Sequence, residues 1–265
     1  MSLVDKILMP VKVIAPDEYD LKARWLPTLA SLLPAVLVAA ASISEIADGK
    51  FGTGPIGGAV LLIVQFVGMW IVRAVGKSRQ AALFKAWGGT PTTAMLRHRD
   101  DRLNPHTKLR LHDQLRRLGP GFVIPTAAEE MDDPAAADLL YEAAVYELRK
   151  RVKATGIKPV HRENIGYGGA RNFYGIKSFG LFMCAASLLV LGVEIWRQDF
   201  GTAPGEIGAA FAIIIIAIAW VFGCRSGMVK IHAESYAYAL FEAADHVIPQ
   251  ETAPRKRKQK EGSLT

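Results

Sequence analysis

Apolar residues along this chain are gathered into four long blocks, and polar and basic residues fill the segments between and outside them. A helix that crosses the ~30 Å hydrocarbon core of a bilayer needs about 20 mostly apolar residues. The pattern therefore predicts an all-α integral membrane protein with four transmembrane helices in two hairpins. The predicted spans cover residues 25–46, 56–76, 178–196 and 207–224.

The basic residues predict the orientation of these spans, because Lys and Arg accumulate on the cytoplasmic side of membrane proteins. Only Lys50 and Arg197 lie in the two short loops that join the spans of each hairpin. We therefore expect both termini to be cytoplasmic, in a bacterial inner membrane. The predicted segments are a cytoplasmic N-terminal segment (1–24), a first hairpin (25–76), a basic helical cytoplasmic domain (77–176), a second hairpin (177–224), a cytoplasmic helix (225–248) and a disordered basic tail (249–265).

The two short loops resemble each other in sequence. Glu45-Ile46 precedes Phe-Gly-Thr-Gly-Pro starting at Phe51, and Glu194-Ile195 precedes Phe-Gly-Thr-Ala-Pro starting at Phe200, with the same spacing. We interpret this as a duplicated hairpin, in which both copies have the same orientation and are related by an axis along the membrane normal. The alternative is a chance similarity between two Gly/Pro turns.

Small and polar residues recur at helical spacing on one face of the spans, and two interpretations are open. They favour close helix packing, with polar side chains bonding across the contact. They are also typical of a water-filled path in a homo-oligomer, where a ring of carboxylates at the mouth favours cations. The residues predicted to line such a path are Ser42, Glu45, Gln65, Ser187 and Glu194. An interhelical hydrogen bond would explain Gln65 equally well.

The segment between the hairpins is expected to be helical. Thr90-Pro91, Asn104-Pro105 and Asp133-Pro134 each place a capping side chain before a proline, which is a signal for a helix start. The glycines at 166, 168 and 169 predict a loop. No arrangement of nucleophile, acid and base or of metal ligands is visible, so we expect neither an enzyme nor a metal or other cofactor.

Two clusters of basic residues favour an anionic ligand. Arginines and aromatic residues together suit phosphates and stacked bases, although topology and anionic lipid headgroups explain basic residues near a membrane as well. The candidate ligand-binding residues are Trp87, Thr92, Thr93, Arg97, Arg99, Arg102, Arg116, Arg162, Tyr167, Arg171 and Asn172, with Phe173 as a further stacking candidate.

Three strings carry a resemblance to a known family: Trp87-Gly-Gly-Thr-Pro-Thr-Thr93 with Leu96-Arg97, Asp132-Asp133-Pro134, and residues 163–172 with Gly175-Ile176-Lys177. Over about residues 60–180 the chain resembles a family of bacterial four-span membrane proteins that is similar to the channel-like effector of the Hailong anti-phage defence system. The resemblance implies a partner nucleotidyltransferase whose DNA oligomer keeps the membrane protein silent. Where the family has Phe-Arg-Arg-Asn, this chain has Gly169-Ala170-Arg171-Asn172, with one arginine fewer.

The leading hypothesis is an oligomeric, ion-channel-like membrane effector in anti-phage defence, gated by a nucleotide or oligonucleotide at its cytoplasmic domain. The alternative is a non-conducting scaffold that recruits a cytoplasmic partner to the membrane. The expected partners are the lipid bilayer, further copies of the chain, an oligonucleotide or cyclic nucleotide, and a nucleotidyltransferase.

Overall fold

The computed structural model describes residues 17–41, 55–198 and 204–248, with side chains for residues 63–197 in the second range, and its regular structure there is helical throughout. The all-α expectation is therefore confirmed for this part of the chain. The helices are α1 (Glu18–Ala41, with a π-helical turn at Leu21–Trp25), α2 (Pro55–Ala86), α3 (Pro91–Ala94), α4 (Pro105–Arg116), α5 (Ala127–Asp132), α6 (Pro134–Thr155), α7 (Lys158–Gln198), α8 (Pro204–Gly223), α9 (Ser226–Glu242) and α10 (Ala244–Val247).

Three of these helices are long and apolar enough to cross a membrane. They are α1, α7 and α8, whose most apolar windows have mean hydropathies of 1.5, 2.0 and 2.3. Helix α2 contains the predicted span 56–76 and is not among the three; its described part continues through Arg73, Lys77 and Arg79. The described residues thus have the helices of a membrane protein.

The chain divides into two compact units, and the division differs from the predicted domains. The first unit holds the described residues up to Pro91 together with Lys158–Ala237, and the second holds Thr92–Ile157 with the described residues from Tyr238 onward. Residues 77–86 are the last part of α2 and residues 158–176 are the first part of α7, so both stretches belong to helices of the first unit. The loop predicted at Gly166–Gly169 is wrong, because these residues are helical within α7.

Helix α7 is the centre of the first unit, where it packs against α1, α2 and α8. Buried apolar side chains from α2, α7 and α8 form the core of this unit: Val72, Ile176, Cys184, Leu191, Ala209, Ile213 and Trp220. Large apolar side chains also cover its outside, among them Phe66, Trp70, Phe182, Leu189, Trp196, Phe211 and Ile215. Water-soluble surfaces rarely expose apolar area on this scale, whereas a lipid-facing surface requires it.

Glycine allows α2 and α7 to touch backbone to backbone. A Cβ atom added to Gly175 of α7 would lie 2.9 Å from both the Cα and the nitrogen of Gly76 on α2. Gly180 provides similar room for the indole of Trp220, which a Cβ atom would approach to 2.5 Å. Small residues at membrane helix contacts have this role, because they let two helices approach closely.

The second unit is built from short capped helices around an apolar core. The starts predicted at Pro91, Pro105 and Pro134 are confirmed, and the carboxylate of Asp133 accepts hydrogen bonds from the backbone N–H groups of Ala135 and Ala136. Helix α6 ends at Gly156, whose φ of 66° lies in the left-handed region that favours glycine. Among the fully buried side chains of this unit are Met95, Leu96, Leu115, Tyr141 and Leu148.

A candidate site around Arg171

Asn172 bonds to a backbone carbonyl in the π-helical turn of α1. In that turn the N–H of Leu26 donates to the carbonyl of Leu21, and Ala23 lies between these two residues. The side-chain amide of Asn172, which is fully buried, donates to the Ala23 carbonyl oxygen at 2.7 Å. The polar side chain on α7 thereby satisfies a group on α1 and holds the two helices together.

Arg171 is a buried cation whose side-chain partners are amides. Its Nη1 donates to Oε1 of Gln80 at 2.8 Å, and its Nε and Nη2 donate to Oδ1 of Asn172 at 3.3 and 3.2 Å. The guanidinium carbon lies 5.7 Å from the ring centroid of Tyr167, and the residue is only 7% exposed. Among the described residues no carboxylate forms an ion pair with Arg171. A buried charge is costly unless it is paired, so this arginine is chemically suited to accept an anion.

The groups around Arg171 meet at the closest contact between α2 and α7. A Cβ atom added to Gly76 would collide with Oδ1 of Asn172 and would lie 3.2 Å from its Cα. Arg171 precedes the predicted start of the third span at Ser178 by about 10 Å along the helix axis, given a rise of ~1.5 Å per residue. We call the group formed by Gly76, Gln80, Arg171 and Asn172 the Arg171 site.

The basic cluster formed by the Lys and Arg residues from Arg97 to Arg117 lies in the second unit, where acidic groups engage most of its arginines. Arg97 binds Asp138 through two hydrogen bonds of 2.8 and 2.7 Å. Similar pairs join Arg102 to Asp100 at 2.6 Å, Arg116 to Asp113 at 2.6 Å and the half-exposed Arg99 to Glu130 at 3.3 Å. The positive charge that the sequence shows between residues 97 and 117 is therefore largely balanced within the unit.

The remaining ligand-binding candidates are dispersed. Thr92 and Thr93 are 4% and 2% exposed within the four-residue helix α3. In the first unit, the ring of Trp87 packs against Phe84 with centroids 5.9 Å apart, Phe173 packs against Trp220, and Arg162 lies on the surface beside Glu163. Of the candidates, the structure brings Tyr167, Arg171 and Asn172 together.

A polar network around Glu130 was not predicted. Glu130 is 3% exposed and accepts hydrogen bonds from the His98 backbone N–H at 2.7 Å and from the Tyr141 hydroxyl at 2.8 Å. Burial by itself raises the pKa of this carboxyl, but these hydrogen bonds and the nearby Arg99 outweigh burial and hold its pKa below the usual value. The sequence offered no local signal for this network, since its members come from separate helices and loops.

His112 belongs to the same network and is an uncharged core residue. Its ring stacks on Tyr141 and meets His98 edge-on, with centroid distances of 5.7 and 4.9 Å, and its Nε2 lies 2.8 Å from the Leu96 carbonyl oxygen. Burial lowers the pKa of His112 from 6.5 to about 4. No group of three or more potential metal ligands occurs among the residues that the structure describes.

Two of the residues predicted to line a path lie in helix contacts. Gln65 is 5% exposed and donates through Nε2 to the Trp25 carbonyl oxygen of α1 at 3.0 Å, which is the interhelical bond considered as the alternative. Ser187 is 5% exposed on the same face of α7 as the buried Cys184 and Leu191, and Glu194 is half-buried. Ser42 and Glu45 lie outside the described residues.

Comparison of the chain with models of protein families, with curated proteins and with solved structures finds no match.

Proposed function

We propose that this protein is a membrane effector whose spans respond to an anionic ligand at the Arg171 site. The observation that carries the proposal is Arg171 itself, a buried cation with amide partners at the point where two helices touch. A phosphate-bearing nucleotide or oligonucleotide supplies the missing negative charge and competes with Gln80 for the guanidinium. Replacing that partner alters the contact between α2 and α7.

The proposed response is ion conduction by an oligomer. Helix α7 runs without a break from Lys158 to Gln198, so a displacement at Arg171 is passed directly to the apolar part of the same helix. In this proposal the chain crosses a bacterial inner membrane four times as two duplicated hairpins, with both termini cytoplasmic. A partner nucleotidyltransferase supplies the ligand in anti-phage defence, as the family resemblance implies.

Planar-bilayer recording of the purified full chain tests this proposal. Short single-stranded DNA and cyclic dinucleotides are added to the side that holds the termini, and wild-type current is expected to change with one of them. Arg171→Gln removes the charge and leaves a shorter, polar side chain whose amide can still donate hydrogen bonds. We expect this variant to conduct without responding to the ligand.

The matched control is Arg149→Gln, which removes the same charge from an exposed position on α6. It is expected to respond like the wild type, and Arg171→Lys, which keeps the charge, is expected to retain part of the response. A thermal melt of each variant shows whether it is folded. An Arg171→Gln protein that is folded and responds fully to the ligand would contradict the proposal.

A second candidate function is a non-conducting membrane scaffold. The observations that favour it are the ion pairs of Arg97, Arg102 and Arg116 and the burial of Gln65 and Ser187 in helix contacts. In this case the basic cluster stabilises the second unit, and the polar residues of the spans serve helix packing. A folded oligomer that carries no current with any nucleotide favours the scaffold over the channel.

A further inference from the structure

A cavity of about 540 Å³ lies in the first unit, on a face of α7 to which Arg171 does not contribute. Its wall combines residues from α1, α7 and α9 with the segment that joins α8 to α9. Most of the wall is apolar, and three nitrogen-bearing side chains contribute to it. The lining residues are Lys22, Leu26, Ile165, Gly166, Gly169, Ala170, Phe173, Gly223, Cys224, Arg225, Met228 and His232.

The order of these residues along their helices shows that the two ends of the cavity differ in polarity. On α1 the exposed Lys22 comes one turn before Leu26, which begins the apolar part of that helix. On α7 the cavity runs from Ile165 to Phe173 toward the apolar half of the helix. One end of the cavity is therefore level with charged residues, and the other is level with the beginning of the apolar spans.

The basic side chains of the cavity occupy defined positions. The guanidinium carbon of Arg225 lies 4.9 Å from the centroid of the Phe222 ring, a cation–π contact that orients it just after α8. The ring of His232 lies against Gly166, where an added Cβ atom would be 3.2 Å from Nδ1. Lys22 forms a 2.8 Å pair with Glu18, but both side chains are more than half exposed, so water screens this pair strongly.

We propose that this cavity binds an anionic phospholipid of the cytoplasmic leaflet. The phosphodiester contacts Lys22 and Arg225, and the upper part of an acyl chain lies between Leu26, Phe173 and Met228. Basic groups at the membrane surface attract anionic headgroups, and the apolar floor requires a ligand with a hydrocarbon part. A free phosphate or nucleotide satisfies the first requirement and not the second.

The rate at which the Cys224 thiol is labelled can show whether the cavity is occupied in the wild-type protein. The chain has two cysteines, and the other, Cys184, is 2% exposed in the helix core, so a maleimide reagent modifies chiefly Cys224 in the cavity wall. The full chain is placed in nanodiscs of phosphatidylcholine, with or without phosphatidylglycerol. We expect phosphatidylglycerol to slow the labelling of Cys224, and inorganic phosphate added to phosphatidylcholine nanodiscs to leave the rate unchanged.

Native mass spectrometry of the full chain in detergent measures the retained phosphatidylglycerol. Arg225→Gln is expected to weaken retention about fivefold, since one basic residue near the surface contributes about 1 kcal/mol. Lys22→Gln is expected to act similarly, and Ala170→Phe is expected to exclude the lipid by filling the cavity without changing charge. The exposed Arg149→Gln on α6 is the control and is expected to retain lipid like the wild type.

Three results would overturn the assignment. Equal labelling of Cys224 with and without phosphatidylglycerol would show that the lipid does not reach the cavity. Inorganic phosphate that protects Cys224 as well as the lipid does would show a phosphate site instead. Lipid retention in Ala170→Phe and Arg225→Gln equal to that of Arg149→Gln, in variants that melt like the wild type, would place the lipid elsewhere.

Discussion

The two compact units bury polar groups in different ways. In the first unit, Gln65 and Asn172 donate to backbone carbonyls of α1, and glycines bring the helices close enough for these bonds. In the second unit, Glu130 is surrounded by a hydroxyl, a backbone N–H and an arginine. In these examples the first unit satisfies polar groups with uncharged amides, whereas the second surrounds a buried carboxylate with hydrogen-bond donors and a cation.

This difference matches the apolar outside of the first unit. Carbonyls inside an apolar region must find partners within the protein, and an uncharged amide is the least costly donor there. Charged side chains that keep part of their hydration lose less solvation free energy on forming an ion pair. In the second unit, the paired side chains of Arg97 and Asp138 remain 13% and 29% exposed. Arg171 departs from this rule, because it is a charge buried among amides, and the proposed function rests on this departure.

The largest expected effect is the difference in lost stability between a buried and an exposed tyrosine of the second unit. Replacing Tyr141 by alanine removes a fully buried ring and its hydrogen bond to Glu130, and is expected to lower the free energy of unfolding by about 3–5 kcal/mol. Tyr146→Ala on the same helix removes a ring that is 69% exposed and is expected to change it by less than about 0.5 kcal/mol. Urea unfolding followed by circular dichroism measures both, and equal losses would mean that Tyr141 is not part of a packed core.

Acidification is expected to destabilise the second unit. His112 has a folded-state pKa of about 4 against 6.5 for the free side chain, so the folded state disfavours the protonated form. The stability due to neutral His112 is complete above pH 6.5 and is lost as the pH falls toward 4, for a total of about 3 kcal/mol. Glu130, whose pKa is lowered in the folded state, adds a loss of the same sign at lower pH.

Two variants test whether His112 causes this pH dependence of stability. His112→Phe keeps a ring against Tyr141 and cannot be protonated, so its melting temperature should vary less between pH 6.5 and 5 than that of the wild type. His106→Asn, at an exposed position of the same helix, should keep the wild-type slope. A wild-type slope in His112→Phe would mean that another group carries the effect.

The smallest of the three effects tests the glycine contact of the first unit. Gly175→Ala places a Cβ atom 2.9 Å from the backbone of Gly76, which cannot move aside easily, and is expected to cost about 1–3 kcal/mol. Gly192→Ala makes the same change on the same helix at a position with no atom within 4 Å. The control should be neutral or slightly stabilising, because alanine favours helix. Identical melting temperatures for the two variants would refute a tight contact between α2 and α7.

Several elements were predictable because their signals are local. Prolines after Thr90, Asn104 and Asp133 mark helix starts through the chemistry of adjacent residues, and the structure confirms them. Long apolar stretches likewise predict helices that can cross a membrane, and three such helices are found. The glycines at 166–169 misled the prediction, since glycine is tolerated in a helix where a neighbour approaches closely, as Tyr19 approaches Gly168.

The candidate site was predictable only in part. Tyr167, Arg171 and Asn172 were selected from their residue types, and they do lie together. Their partners Ala23 and Gln80 are 149 and 91 positions away in sequence, from Asn172 and Arg171 respectively, and no local pattern connects them. For the arginines from 97 to 117, the sequence showed the positive charge but not its partners. Asp138 and Glu130, which pair with Arg97 and Arg99, lie outside that stretch of sequence.

By itself, the sequence determined the helical class, the helix starts and the apolar character of the long helices, since each depends on neighbouring residues and their spacing. Only the tertiary structure decided how the buried polar residues are satisfied, and that the partners of Arg171 among the described residues are amides. Those outcomes depend on contacts between helices that are far apart in sequence. Arg97 and Arg171 are the same kind of residue in the sequence, and only the packing of the chain makes one an ion pair and the other a candidate anion site.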